Sequence, residues 1–180
     1  MPGGFYDAGP LSQIAINLFY GWGYNFYRKE NQLRADDLMI RAKVGALLQQ
    51  ARAAVEEAES GYRRRFIPPP TRANPRPDPE AVAGAQALER ISHGIGALEG
   101  QIRALPVPEA DRMTQRYRAE AETLTKLALA DEQLTGQAEL LRQSVHGKDG
   151  TWLLENQALI NEGLAVITES VRTRHNLLLV

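Results

Sequence analysis

The residues able to do chemistry are few, and their spacing does not assemble a reaction centre. Histidine occurs at His93, His146 and His175. A di-iron bundle needs a Glu three residues before a ligand His, and a helical zinc site of the protease type needs two His four residues apart. Neither spacing occurs. Carboxylates gather at Asp36-Asp37, at Glu56-Glu57 with Glu59, at Glu120 with Glu122, and at Asp131-Glu132. Neighbouring side chains on a helix point about 100° apart, so such pairs make solvated faces rather than acid/base couples. Cysteine is absent, which removes thiolate catalysis, disulfides, Cys-ligated zinc and iron–sulfur clusters. Gly147-Lys148 lacks the earlier glycine of a phosphate loop, and Gly94-Ile95-Gly96 follows no strand. No catalytic residue, metal-ligand set or cofactor is assigned.

Three other sets of residues stand out. The first is basic. Arg63, Arg64, Arg65, Arg72 and Arg76 face only Asp78 and Glu80 between positions 61 and 80. Beside Tyr62, Phe66 and prolines, these guanidiniums can grip phosphate, an acidic partner or lipid headgroups. The plainer reading is a solvated helix end whose cations offset the negative end of the helix dipole. The prolines do not form a clean P-x-x-P ligand.

The second set is aromatic. Eight of the twelve Phe, Tyr and Trp residues lie in the first 27 positions. Phe19, Tyr20, Trp22, Tyr24, Phe26 and Tyr27 form the dense part, and no charged side chain occurs from Ala8 to Tyr27. Charge-poor aromatic clusters form the centres of interfaces, plug the ends of bundles, or sit at a lipid headgroup layer. The segment is long enough on paper to span a bilayer, but Pro10, Ser12, Gln13, Asn17 and Asn25 argue against spanning. The third set is the pair Asp37 and Asp131, each a carboxylate beside an apolar seam. A polar residue in a seam sets register or partner number; Asp37 is expected to do so unless Leu38 rotates into its place.

The elements that must position these groups read as helices. A first helix is expected from Ser12 to about Gly61, with Leu33, Ile40, Val44, Leu47, Ala51, Val55, Ala58 and Tyr62 spaced by threes and fours. Residues 68–79 hold six prolines, which forbid helix and favour an extended strand of roughly 37 Å. That is long for a tight hairpin between antiparallel helices; the segment could run back along a helix, cross a bundle end, or hold two helical pieces apart. Asp78 then caps a second helix with Pro79 in its first position and Leu88, Ile91, Ile95, Leu98, Ile102 and Leu105 inward. Leu105-Pro106-Val107-Pro108 stops it. A third helix runs to about Val145, with Leu127, Leu134, Ala138 and Leu141 inward. Gly147 suits a left-handed cap, and Thr151 is expected to cap a fourth helix with a broad apolar face of Trp152, Leu153, Leu159, Ile160, Leu164, Val166, Ile167 and Val171.

The chain therefore reads as all-α: an antiparallel, coiled-coil-like bundle of about four helices with one proline-rich crossover. Residues 1–27 form an aromatic docking segment, and 28–180 form the bundle with its linker at 68–79. A net charge of −1 gives no general argument for nucleic acid. The expected role is a non-enzymatic scaffold or assembly subunit, docking on a protein partner or on copies of itself. Two alternatives remain open: a membrane-peripheral protein inserting its charge-free N-terminus, and a bundle that is an enzyme or binds a small molecule between helices. The composition suits a cytoplasmic location, with or without a membrane contact, and its Ala and Arg content fits a bacterial or phage genome.

Overall fold

In the computed structural model the described residues are 33–72, 75–105 and 121–179, with no account of side chains at 33–37, 121–125, 128 or 178–179. They form five helices: α1 Leu33–Phe66, α2 Pro79–Arg103, α3 Ala121–Val145, α4 Gly150–Glu155 and α5 Gln157–Leu179. No strand occurs among them.

The bundle grows from α1. Ile40, Val44, Leu47, Leu48, Ala51, Val55 and Ala58 are buried along one broad stripe, which is what a three–four spacing of apolar residues places on one side of a helix. One edge of that stripe packs on α2 and the other on α3. α2 answers with Leu88, Ile91, Ile95, Leu98 and Ile102, and α3 with Leu134, Ala138, Leu141 and Val145. α5 closes the ring against both α2 and α3 through Ile160, Ile167 and Val171.

Cross-helix contacts fix the directions. Glu56 meets Ser92 and Arg41 meets Leu105, so α1 and α2 are antiparallel. Asp131 of α3 meets Arg174 of α5, whose helix follows α3 through a tight turn; these two are antiparallel as well. Lys43 feels the charge of Glu139, while Tyr62 touches Gly150 just beyond α3, so α1 and α3 run the same way.

Local chemistry sets the boundaries, with four departures from expectation. α1 continues past Gly61 to Phe66; it ends because Pro68 lacks an N–H and disfavours helix in the residue before it. The proline-rich segment joins two antiparallel neighbours, α1 and α2, at one end of the bundle, which is one of the paths expected of it. Asp78 caps α2 as expected, accepting from the Glu80 N–H at 3.1 Å. The cap of α4 is Asp149 rather than Thr151: its Oδ1 accepts from the Trp152 N–H at 2.8 Å, and the helix begins at Gly150. Gly147 adopts φ 68°, the left-handed geometry that ends a helix. The expected fourth helix is two, broken at Asn156. Its side-chain amide donates to the Trp152 carbonyl at 2.9 Å, the same acceptor its backbone N–H uses. Short amides compete with helical hydrogen bonding in this way. Leu38 does not rotate inward; it is 47% exposed. The part of the first helix expected before Leu33 lies outside the described residues.

Two glycines separate packing from propensity. A Cβ on Gly150 would lie 2.7 Å from Tyr62 Cβ and 3.1 Å from the Ala58 carbonyl oxygen. A Cβ on Gly100 meets nothing within 4 Å. Gly100→Ala should therefore raise stability by up to about 1 kcal/mol, the difference between glycine and alanine in a helix. Gly150→Ala should lower it by about 1–3 kcal/mol through overpacking. Urea unfolding of the two variants measures both.

Candidate functional site

The end of the bundle where α1 stops gathers the cations. α1 delivers Arg63, Arg64 and Arg65 in its last turn. Each is differently engaged. Arg63 Nε donates to Glu59, and its Nη2 lies 3.5 Å from Glu89 of α2. The hydrogen bond to Glu59 holds the Arg63 guanidinium above its ordinary value; burial opposes it, and the charges of Glu59 and Glu89 add to it. Arg64 Nη1 donates to Ser60 Oγ at 3.0 Å. Arg65 lies 5.0 Å from the Phe66 ring centre, a cation–π contact, and Phe66 in turn stacks against Tyr62 with centroids 4.6 Å apart.

Two open clefts flank the Arg64–Phe66 wall. One, of about 710 Å³, has Phe66, Ile67, Pro68–Pro70 and Pro77 as its apolar floor and Arg63, Arg64 and Arg76 at its edges. The other, of about 460 Å³, lies between the end of α1 and the α3–α4 turn, and takes Arg64, Arg65, His146 and Lys148 among its walls. Of the five arginines expected as a basic patch, four line these clefts; Arg72 is exposed on the linker and lines neither. The structure adds Lys148, whose ammonium lies 4.8 Å from the Trp152 ring centre. Nothing in the sequence tied Lys148 to an arginine run more than eighty positions earlier. They meet because α1 and α3 run the same way and end at the same level.

The polar groups inside the bundle are different. Asp131 is 0% and Arg174 2% exposed, and the guanidinium donates from Nε and, at 3.5 Å, from Nη2 to the two carboxylate oxygens. Asp131 thus occupies the seam as expected; Arg174 was not foreseen. Nearby, Glu139 accepts from Arg142 Nε at 2.7 Å and from Gln143 Nε2 at 2.7 Å, and faces Lys43 across the α1–α3 contact. Burial pushes the Glu139 carboxyl up, but the hydrogen bonds from Arg142 and Gln143 and the charges of Arg142 and Lys43 outweigh it, so it is held below the ordinary value. Burial pulls Lys43 below its ordinary value despite the charge of Glu139. These groups are bound to one another and line neither of the two clefts; they fasten helices. His93 and His146 are exposed and His175 half-buried. No group of three or more His, Cys, Asp or Glu suited to a metal occurs among the described residues. Asp37's side chain, and Phe19, Tyr20, Trp22, Tyr24, Phe26 and Tyr27, lie outside the described residues.

Comparison of the chain with protein-family models, with curated proteins and with solved structures finds no match.

Breaking a buried ion pair leaves an uncompensated charge, so Asp131→Leu or Arg174→Met alone should cost about 3–5 kcal/mol. The double variant Asp131→Leu/Arg174→Met should recover most of that loss, as a double-mutant cycle in urea would show. Glu139, held low in the fold, contributes stability above its unfolded value of about 4.3 that is lost as pH falls through its folded value. Glu139→Gln should therefore be less stable than the parent at neutral pH, and its melting temperature should fall less steeply on acidification below about pH 4.

Proposed function

We propose that this chain is a non-enzymatic helical assembly subunit, cytoplasmic, that docks through the end of the bundle at which the chain enters α1. The observation that carries this is a set of exposed large apolar residues toward that end: Leu38 at 47%, Met39 at 44% and Leu129 at 53% exposure. Leu38 and Met39 belong to the first turns of α1, and Leu129 belongs to the matching part of α3, which runs alongside in the same direction. Large exposed apolar side chains toward one end of a bundle suit a surface that is covered in use. The aromatic run Phe19–Tyr27 lies directly upstream in sequence, six residues before Leu33. Together they supply what interface centres are made of: aromatic and aliphatic side chains without charge.

The remaining surfaces lend this reading support. The buried Asp131 and Arg174 are committed to one another across helices, and no helix among the described residues is long and apolar enough to cross a membrane. The docking partner is either a second copy of the chain or another protein.

Truncating a tryptophan at the centre of an interface commonly costs 2 kcal/mol or more, about thirtyfold in affinity. Sedimentation of the full chain should show self-association, or native pull-down a stoichiometric partner. Trp22→Ala should weaken either one about thirtyfold while leaving the helical circular dichroism and melting temperature close to the parent. A chain that stays monomeric at high concentration and captures no partner defeats the proposal. So does flotation with liposomes that depends on residues 1–27 in the absence of any protein contact.

A further inference from the structure

We propose that Met39 is an oxidation site that governs the aliphatic surface at the start of α1: its thioether takes an oxygen atom from a peroxide, and the resulting sulfoxide weakens docking. The inference rests on that surface being covered in use, and adds how the cover is released.

Access comes first. The chain holds no cysteine, so its methionines are its only sulfur atoms. Met39 is the single methionine among the described residues. It is 44% exposed, beside Leu38 at 47%. A peroxide therefore reaches its sulfur without the bundle opening. Leu38 and Leu129, the other large exposed side chains of this surface, are hydrocarbons that peroxide leaves alone. Redox chemistry on the surface is thus confined to one atom, Met39 Sδ.

The step needs only the peroxide. The sulfur lone pair attacks one peroxide oxygen, and the S–O bond forms as the O–O bond breaks. The second oxygen leaves as hydroxide and takes the proton of the first, giving water. The sulfur is oxidised and the peroxide reduced, and a flexible apolar side chain becomes a polar, chiral one.

The consequence differs between the free and the docked chain. In the free chain the new oxygen faces solvent and stays hydrated. Ile40 and Val44, the core residues beside it, are fully buried and unaltered. The fold therefore tolerates the change. Under a partner the same oxygen is cut off from water, and a buried acceptor left without a donor weakens association by about tenfold or more. A thioether suits a contact surface because it is apolar and adaptable, and oxidation removes both properties.

In the test, the full chain is treated with hydrogen peroxide, and peptide mass mapping locates each added oxygen. Docking is read as self-association by sedimentation, or as retention of the stoichiometric partner from native pull-down, whichever the untreated chain shows. Met39 should be converted to the sulfoxide and docking should weaken about tenfold or more. Helical circular dichroism and melting temperature should stay close to those of the untreated chain. Methionine sulfoxide reductases for both epimers, with dithiothreitol as reductant, should restore docking. Met39→Leu should dock like the parent and go on docking after peroxide. Met39→Gln, which puts a polar group there without oxidation, should dock weakly from the start. Loss of docking in peroxide-treated Met39→Leu overturns the proposal, because the sensitive atom then lies elsewhere. So does full-strength docking by Met39→Gln, or by a parent chain whose Met39 is mapped as sulfoxide. A Met39 that peroxide leaves unmodified overturns it as well. In all these outcomes the docking surface itself stands. A parent chain that docks with nothing before oxidation defeats the docking surface, and this inference with it.

Discussion

The apolar stripe of α1 is the constraint on which the rest of the structure depends. Ile40, Val44, Leu48, Ala51 and Val55 are completely buried, and no single neighbour could bury so broad a stripe. Two helices must share it, α2 on one side and α3 on the other. Once both are seated, each retains an uncovered apolar edge. α5 covers both edges at once, through Ile160 and Ile167. The ring order follows from the width of one stripe.

Hydrophobic burial is not directional, and it leaves a bundle free to slide or turn over. The polar groups of α3 restrict that freedom. Asp131 and Arg174 can be buried only together, at one register of α3 against α5. Glu139 binds Arg142 and Gln143 on its own helix and faces Lys43 across the gap, which favours one register of α3 against α1. On the other side of α1, Glu56 accepts from Ser92 at 3.1 Å and Arg41 reaches the Leu105 carbonyl. A shifted register of α3 against α5 would strand the buried charges of Asp131 and Arg174, a penalty of several kcal/mol. Among the described residues of α3, Thr135 Oγ1 and Gln137 Oε1 are buried without a hydrogen-bond partner. They sit in the turn 134–139 of α3, whose residues are buried on every side.

The two ends of the molecule differ in kind. Toward the start of α1 the exposed large residues are aliphatic. At its finish, arginines, prolines and aromatic rings converge because four chain features terminate at one level: the end of α1, the proline-rich connection, the start of α2 and the α3–α4 turn. The prolines matter here beyond stopping a helix. They hold an extended connection over the hairpin end, so the clefts keep a floor without secondary structure around them. An assembly subunit with unlike ends can join unlike neighbours, which fits the functional reading given above.

The sequence by itself determined what depends on neighbours along the chain. Spacing by threes and fours marked most of the inward residues of α1, α2 and α3, though not Leu48, Ala81, Ala85 or Ala87, because a helix repeats every 3.6 residues whatever it packs against. Asp78, Pro79, Gly147 and the run of prolines marked boundaries, because caps and breakers act within one turn. Local rules were ambiguous at Thr151 and Asn156. Two candidate caps stood two residues apart, and an Asn within a helical pattern can either face solvent or seize a carbonyl. Tertiary structure alone decided which helices are neighbours and in which direction. It paired Asp131 with Arg174, brought Lys148 to Arg64 and Arg65, and turned Leu38 outward. Those outcomes depend on contacts between residues tens of positions apart. Pairing of that kind is set by how the buried areas and charges of all the helices are satisfied at once, and no single stretch of sequence carries that information.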